Sequence, residues 1–468
     1  MWRTVGIMKN SSSEPRQETN QTVQLQIERK NSSPSIRISF TDQRLTAHGG
    51  MIVWSHFLQQ KNFRSQLEKW LPHDPRSPNA YVPEDTALAY IGGILCGADK
   101  LSRVAWLQAD PALAEVLGVE AMVSQPTLSR FFAVFTQKTS SQIAQLHSWA
   151  MDGLASLKEG YTLDLDSWAL LHEEGHQEGV NVGYTASGLK PCHHSLIAAL
   201  AESKIIANYW LRSGNTACVN GAPEFLRQTV AALPKHMRLR LVRGDGGFGY
   251  ESFLSAAEEL KLTYIVVAKL NQPIQRLCHH GDKHWQATEI AGLEVQETRY
   301  QGRRIILIRQ RIAERGSETR GKLLVDLPGY RYQALWTNLD SWVRPFEVWR
   351  RYNGRADIEN RIKELGEQFG IRRLAVKKFW GTEAMHHLAI AAYNLCVLLQ
   401  RRLGQLEKCE LNTLRWRLFT RAAVWSRKAG KATLKLAVIG EQNRRWWLQI
   451  LQKLLALPNC NSVESLQA

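Results

Sequence analysis

The length, composition and charge of the chain limit what it can be. Its 468 residues are enough for two or three domains with a large buried core. The formal net charge is +17, and residues 401–450 contribute 12 Lys or Arg against 3 Glu. Because Lys and Arg neutralise phosphates, this balance favours a polyanionic partner such as nucleic acid.

Cysteine usage and hydrophobicity exclude further classes of protein. Seven scattered cysteines without a Cys-x-x-Cys pair argue against a disulfide framework and against a zinc site. The amino terminus lacks the apolar core of a signal peptide, and the most apolar run, residues 388–399, is too short for a membrane span. We therefore expect a soluble, cytoplasmic protein with no membrane partner.

The first third of the chain is predicted to be a leader followed by helices. Residues 1–38 are rich in Ser, Asn, Gln and charge, which predicts a disordered leader. Residues 39–155 show helical spacing of apolar side chains, which predicts an all-α region. One helix in this region begins at the candidate N-cap Ser124 and carries Arg130. It could lie in a DNA major groove, with Arg130 as a DNA contact, or it could be a capped core helix.

Residues 156–270 carry two candidate site segments. A strand over residues 161–168 alternates, so that Asp164 and Asp166 share one face. A second strand ends at Asp245, within Arg-Gly-Asp-Gly-Gly-Phe. In open α/β sheets ligands collect beyond the carboxyl ends of strands, which makes Asp245 a candidate site residue. An ordinary Asp-Gly turn is the alternative interpretation.

The order of elements predicts the fold class. Strands followed by strand-helix alternation in residues 156–270 indicate an α/β sheet of mixed direction. Residues 271–330 read as an antiparallel β insertion, including short strands such as residues 322–325. The α/β pattern resumes over residues 331–400, and residues 401–468 are predicted to form a basic helical region.

A helix beginning near residue 349 supplies a third carboxylate. Tyr352, Arg355 and Glu359 follow at spacings of three and four, so they are predicted to line one helix face with Ile362. An exposed charge pair between Arg355 and Glu359 is the alternative interpretation. Together with the two strand aspartates, Glu359 would complete a set of hard oxygen ligands that suits Mg²⁺ or Mn²⁺. Two such ions can drive an in-line phosphodiester displacement.

These segments resemble the DDE transposases of bacterial insertion sequences, most closely the insertion sequence family 1380 branch, over residues 40–400. The segment Leu45-Thr46-Ala47-x-Gly49-Gly50 resembles that branch as well. The main motifs are Asp166 followed by Ser, the Arg-Gly-Asp-Gly-Gly-Phe around Asp245, and Tyr352-x2-Arg355-x3-Glu359.

The resemblance implies a fold, an activity and a set of site residues. It implies an RNase H-like core with a β insertion, flanked by all-α regions. It also implies a DNA transposase that binds the inverted-repeat ends of its element and catalyses metal-dependent cleavage and strand transfer. The implied metal ligands, for two Mg²⁺ ions with Mn²⁺ as substitute, are Asp166, Asp245 and Glu359, with Asp164 as alternate first ligand. Tyr352 and Arg355 would contact transposon-end phosphates.

The resemblance further implies double-stranded DNA as the partner, both as transposon ends and as target, and a homodimer on DNA in the bacterial nucleoid. The chain departs from the family signature where Gly366 replaces a lysine. Lys363, one turn after Glu359, is the candidate to take over the phosphate contact of that lysine. A catalytically impaired DNA-binding descendant of a transposase and a nonspecific nuclease are the alternative functions.

Overall fold

The structure is a computed structural model. It describes residues 23–26, 35–38, 40–74, 77, 79–172, 175–217, 219–279, 284–312, 329–404, 406–407 and 409–456. The short strand predicted over residues 322–325 lies outside these ranges.

The amino-terminal part of the chain is mainly helical. A strand pair, which the sequence did not predict, lies within the predicted leader because Val, Leu and Ile alternate with polar residues in both segments. The strands are β1 (Val23–Gln26), β2 (Ser35–Ile38) and β3 (Leu45–Thr46). The helices are α1 (Met51–Gln60), α2 (Phe63–Trp70), α3 (Pro83–Leu95), α4 (Leu101–Trp106), α5 (Leu113–Leu117), α6 (Gln125–Ala133), α7 (Gln137–Ile143) and α8 (Gln145–Asp152), with a 3₁₀ turn at Leu107–Ala109.

A mixed ten-stranded sheet forms the centre of the molecule. Its strands are β4 (Tyr161–Leu171), β5 (Asn181–Thr185), β6 (Gly188–Leu200), β7 (Ile206–Trp210), β8 (Leu239–Gly244), β9 (Tyr264–Val267), β10 (Gln286–Ala287), β11 (Leu293–Tyr300), β12 (Arg303–Arg311) and β13 (Tyr330–Thr337). The helices within this part are α9 (Ala222–Ala231), α10 (Glu251–Glu259) and α11 (Gln272–His279).

The pairing of these strands gives a sheet of mixed direction. Strand β4 lies at the centre. On one side it pairs antiparallel with β6, which pairs antiparallel with β7. On the other side it pairs parallel with β8, which pairs parallel with β9. This confirms the mixed α/β class predicted from the sequence. In addition, β5 pairs antiparallel with β6.

The predicted β insertion extends this same sheet. Strand β13 pairs antiparallel with β9, β12 pairs with β13, and β11 pairs with β12. Four consecutive apolar residues of β12, 305–308, are buried. Alternate residues of this run belong to the two hydrophobic clusters on opposite faces of the sheet. Burial on both faces explains why the insertion is continuous with the core.

The carboxyl-terminal part differs from the prediction of an all-helical region. Its elements are α12 (Pro345–Asn353), a 3₁₀ turn (Gly354–Ala356), α13 (Asp357–Glu367), α14 (Phe379–Leu403), α15 (Leu411–Leu414), a π turn (Arg415–Phe419), the hairpin β14 (Ala423–Lys428) and β15 (Lys431–Leu436), and α16 (Glu441–Leu455). The hairpin forms because Ala429 and Gly430 both adopt positive φ, at 49° and 76°, which suits a two-residue turn.

Helix α14 is buried along almost its whole length. It packs against four amino-terminal helices (α3, α6, α7 and α8) and against β7, and so it joins the helical region to the sheet. Within the described ranges, no helix combines the length and hydrophobicity needed to cross a bilayer.

One carboxyl group in α14 is buried in this core. Glu383 accepts a hydrogen bond from the Ser140 hydroxyl at 2.7 Å and from the Leu211 backbone N–H at 3.0 Å. Burial raises the pKa of Glu383 to about 7, although both hydrogen bonds oppose the shift. A carboxylate here is therefore costly at neutral pH.

We predict that Glu383→Gln makes the protein less sensitive to rising pH. Since the folded pKa lies above the unfolded value, the contribution of Glu383 to stability is lost as pH rises from about 4.5 to about 7. Urea unfolding at pH 5 and pH 8 should show the variant gaining up to about 3 kcal/mol relative to wild type between the two values. The exposed control Glu68→Gln should gain nothing comparable, and an equal gain in both variants would contradict the prediction.

Candidate active site

Two of the predicted aspartates lie on neighbouring parallel strands. In the β4–β8 pairing Leu165 is opposite Gly244. Asp166 is the next residue of β4, and Asp245 is the first residue after β8. The Asp166 side chain is buried, and the negative charge of Asp245 acts on it. The end of β8 thus brings Asp245 beside the middle of β4.

The loop after β8 is held by Asp245 itself. Its carboxylate accepts a hydrogen bond from the Gly247 N–H at 2.9 Å, and its carbonyl accepts one from the Phe248 N–H at 3.0 Å. Gly249 is required by close packing, because a Cβ there would lie 2.2 Å from the Val267 carbonyl oxygen. Asp245 therefore forms the turn that was the alternative interpretation, and it also lies beside Asp166.

Asp164 has a different environment from Asp166. Its carboxylate forms two hydrogen bonds with the Arg243 guanidinium, from Nε at 2.6 Å and from Nη2 at 2.8 Å, and both residues are buried. Burial raises the pKa of Asp164, and Arg243 opposes that shift. Arg243 also donates to the backbone carbonyl of Arg351. Asp164, the alternate first ligand, is thus held in an ion pair that ties β4 and β8 to the end of α12.

The helix predicted to carry Tyr352, Arg355 and Glu359 is interrupted. Helix α12 ends at Asn353, a 3₁₀ turn follows, and α13 begins at Asp357. Gly354 lies in this turn, where a Cβ would be only 2.5 Å from Nη1 of Arg243. The close approach of Arg243 accounts for the glycine. Because the 3₁₀ turn separates α12 from α13, the single continuous helix face predicted from the spacing does not form.

The turn places Arg355 between two carboxylates. Its Nη2 lies 2.9 Å from Oδ2 of Asp166, its Nη1 lies 3.9 Å from Oε1 of Glu359, and its Nε donates to the Leu165 carbonyl. Arg355 is buried, whereas the Glu359 side chain is 71% exposed. The predicted Arg355–Glu359 pair is present, but the sequence did not predict the shorter contact with Asp166.

The electrostatics of this group are dominated by burial. Burial raises the pKa of Asp166 to about 6, Arg355 lowers it, and the charges of Asp245 and Glu359 raise it further. Tyr352 is half-buried nearby, and its pKa is raised by burial and by the same three carboxylates. Arg355 is the cation in contact with Asp166 here.

The carboxylates do not form a ready-made metal cluster. Across the described ranges, no three His, Cys, Asp or Glu side chains lie together closely enough to hold a metal ion. The chemical type of the donors nevertheless suits a hard divalent cation, which prefers carboxylate oxygens. For one ion to contact all three, Arg355 would have to leave Asp166 and the exposed Glu359 would have to turn inward.

Gly366, where the family signature has lysine, is buried at the end of α13. A Cβ at this position would lie 2.8 Å from Cζ2 of Trp168 and 2.8 Å from Nε of Arg372. Trp168 is buried two residues after Asp166, and the Arg372 guanidinium lies over its ring. Lys363 is exposed on the outer side of the same helix.

Arg130 lies on α6, the helix that the sequence predicts either to contact DNA or to be a capped core helix. Ser124 caps α6 by accepting a hydrogen bond from the Thr127 N–H, and Leu128, Phe131 and Phe132 of α6 are buried, as expected for a core helix. Arg130 itself is exposed. It lines a cleft of about 510 Å³ that also contains Lys100 and Lys377, both exposed.

Sequence reasoning missed the role of Arg243. Strand alternation could have found it, because Arg243 is opposite Asp164 in the parallel pairing and two residues before Asp245. A charged residue inside an apolar strand next to an acidic strand indicates a buried ion pair.

Comparison with known proteins identifies the family. The model of the family described as transposase DDE domain group 1 matches residues 28–458. The chain belongs to this family. Its members generally use divalent metal ions, and transposases act on DNA.

A search of curated protein sequences gives no significant match. Among solved structures, the chain resembles a piggyBac transposase in a synaptic complex with hairpin DNA, at 12% identity and a TM-score of 0.44, over 81% of this chain and 83% of that one.

We predict that Asp164→Asn destabilises the fold much more than Asp166→Asn does. Asp164→Asn leaves the buried Arg243 without a matching charge and should lower the free energy of unfolding by about 3 kcal/mol. Asp166→Asn also takes a charge from the buried Arg355, but Arg355 keeps its contact with Glu359, and the carboxylate that is lost is one that burial and two neighbouring carboxylates make costly. It should therefore change stability by no more than about 1 kcal/mol. Urea unfolding followed by circular dichroism measures both. Equal losses would mean that the Asp164–Arg243 pair has no special structural role.

A second prediction concerns Gly366. Gly366→Ala should lower the free energy of unfolding by about 1 kcal/mol, because crowding against Trp168 exceeds the gain in helix propensity. The loss should persist in an Arg372→Ala background, where the flexible neighbour is absent and the Trp168 ring remains. Thermal unfolding of the two pairs of proteins tests this, and a stabilising Gly366→Ala would show that the site has room for a side chain.

Proposed function

We propose that this protein is a DNA transposase that binds the inverted-repeat ends of an insertion sequence and catalyses metal-dependent phosphodiester cleavage and strand transfer. The observation that carries this proposal is that Asp166 and Asp245 lie beside each other, on β4 and directly after β8, and that the buried Arg355 contacts both Asp166 and Glu359. Family membership over most of the chain supports it independently.

Asp166, Asp245 and Glu359 are the proposed ligands of Mg²⁺, with Mn²⁺ as substitute and two ions in the complete site. A bound divalent ion would supply the activation of an attacking water or 3′-hydroxyl and the stabilisation of the leaving oxygen. The raised pKa of Asp166 supports this assignment, because an added cation would relieve the repulsion from Asp245 and Glu359.

The basic residues around these carboxylates are proposed to hold the DNA backbone. Arg355, once released from Asp166, has a guanidinium suited to bidentate phosphate contact, and Tyr352 can donate a hydrogen bond from its hydroxyl. Exposed Lys363 and Arg130 would contact phosphates further along the duplex. The partner is thus double-stranded DNA, as transposon end and as target, bound by a homodimer.

A catalytically impaired DNA-binding protein derived from a transposase is the second candidate. The observation in its favour is Gly366, because its surroundings are filled by Trp168 and Arg372 and provide no lysine at the signature position. This candidate predicts DNA-end binding without cleavage, in Mg²⁺ and in Mn²⁺.

The test is cleavage of labelled duplexes that cover the DNA on either side of the coding sequence, in Mg²⁺ and in EDTA. We predict cleavage by wild type that depends on Mg²⁺ and falls at least 100-fold in Asp245→Asn and in Glu359→Gln, because each change removes a metal ligand. Glu367→Gln, on the same helix, is the matched control and should retain cleavage.

Each other outcome has a definite meaning. Binding without cleavage by wild type would support the impaired protein. Cleavage that persists in Asp245→Asn and Glu359→Gln would exclude these residues as the catalytic set. Equal cutting of unrelated duplexes would indicate the nonspecific nuclease instead.

A further inference from the structure

The carboxyl-terminal hairpin presents a surface that the candidate active site does not use. Its two six-residue strands, β14 and β15, are about 20 Å long and join through Ala429 and Gly430. One face, with Trp425, Leu434 and Leu436, packs on the core. The opposite face is therefore free to meet solvent or a partner.

That opposite face carries hydrogen-bond donors along most of its length, with Val424 at its base. The register places Ser426 opposite Thr433 and Lys428 opposite Lys431, with Lys435 further along the same face. All five of these residues are exposed. We call this face, together with Arg427 at the tip, the basic ribbon.

The basic ribbon has no acidic counterpart. Residues 411–440 contain seven Lys or Arg and no Asp or Glu. Within the described part of the chain, no carboxylate forms an ion pair with Arg427, Lys428, Lys431 or Lys435. Like charges directly opposite each other, as at Lys428 and Lys431, destabilise an antiparallel pair. An anionic partner would convert this repulsion into attraction.

A basic groove lies at the base of the hairpin. Its volume is about 680 Å³, and its lining includes Arg417, Arg421 and Arg445. Two apolar side chains at the groove are strongly exposed, Trp416 at 75% and Ile439 at 86%. Arg421 lies just before β14, so the groove continues the positive charge of the ribbon.

We infer that the basic ribbon binds the phosphate backbone of double-stranded DNA at a site separate from the candidate active site. The inference rests on the proposed function for the identity of the polyanion. A two-stranded ribbon fits a DNA major groove, which is about 12 Å wide. Lysine ammonium and Ser or Thr hydroxyl groups are donors that phosphate oxygens accept.

The test uses the full-length chain in EDTA, so that cleavage cannot intervene. Affinity for a labelled 40-base-pair duplex of unrelated sequence is measured across a range of salt concentrations. The triple variant Lys428→Gln, Lys431→Gln, Lys435→Gln should lower the salt-dependence slope by about 0.9 for each phosphate that the variant no longer neutralises. The corresponding Lys→Arg triple should keep the wild-type slope.

The matched control removes the same charge elsewhere. Lys138, Lys235 and Lys261 are exposed lysines outside the hairpin, and their Gln triple should leave the slope unchanged. Equal slopes for the two Gln triples would overturn the inference, since net charge alone would then explain binding. It would also be overturned if the ribbon triple changed only self-association, or only resistance to aggregation, while the DNA slope stayed at the wild-type value.

This experiment separates the inference from the proposed function. If wild type does not bind DNA at all, both the inference about the ribbon and the proposed function are wrong. If wild type binds DNA and the ribbon triple variant has the same salt-dependence slope as wild type, only the inference about the ribbon is wrong.

Discussion

The buried ion pair between Asp164 and Arg243 is the interaction on which the geometry of the site depends. It joins the central strand to the strand that carries Asp245, and Arg243 then donates to the carbonyl at the end of α12. A buried charge pair of this kind persists because each partner would be costly without the other. The cost of separating it holds the turn at Gly354 in place, and that turn sets Arg355 against Asp166.

The strand positions of the site could be predicted from local sequence, whereas its side-chain contacts could not. Alternation in β4 and the glycines after β8 depend on neighbours in sequence, so the positions of Asp166 within a strand and of Asp245 at a strand's end could be predicted. The break between α12 and α13 depends on Arg243, which lies more than 100 residues earlier in the chain. The 3.6-residue spacing of side chains along a helix gives no information about a contact so distant in sequence. The hairpin after residue 422 was missed for a related reason, because Arg and Trp fit a helix face as well as a short strand.

Charge balance links the site to the rest of the molecule. Two carboxylates, Asp166 and Glu359, share Arg355, a cation that the protein supplies from within, and the charge of Asp245 acts on Asp166 beside them. A divalent ion bound among the carboxylates would neutralise the negative charge of the site. The phosphates of a DNA backbone would neutralise the positive charge of the basic surfaces. Trp168 and Arg372 fill the space beside Gly366, so this chain organises that end of α13 without a lysine.

Crystallography of the protein with Mn²⁺, read by anomalous scattering, tests the central claim most directly. We expect a manganese peak in contact with Asp166, Asp245 and Glu359, with Arg355 moved away from Asp166. It would be contradicted by manganese bound elsewhere, with the Arg355–Asp166 contact intact and the three carboxylates still apart.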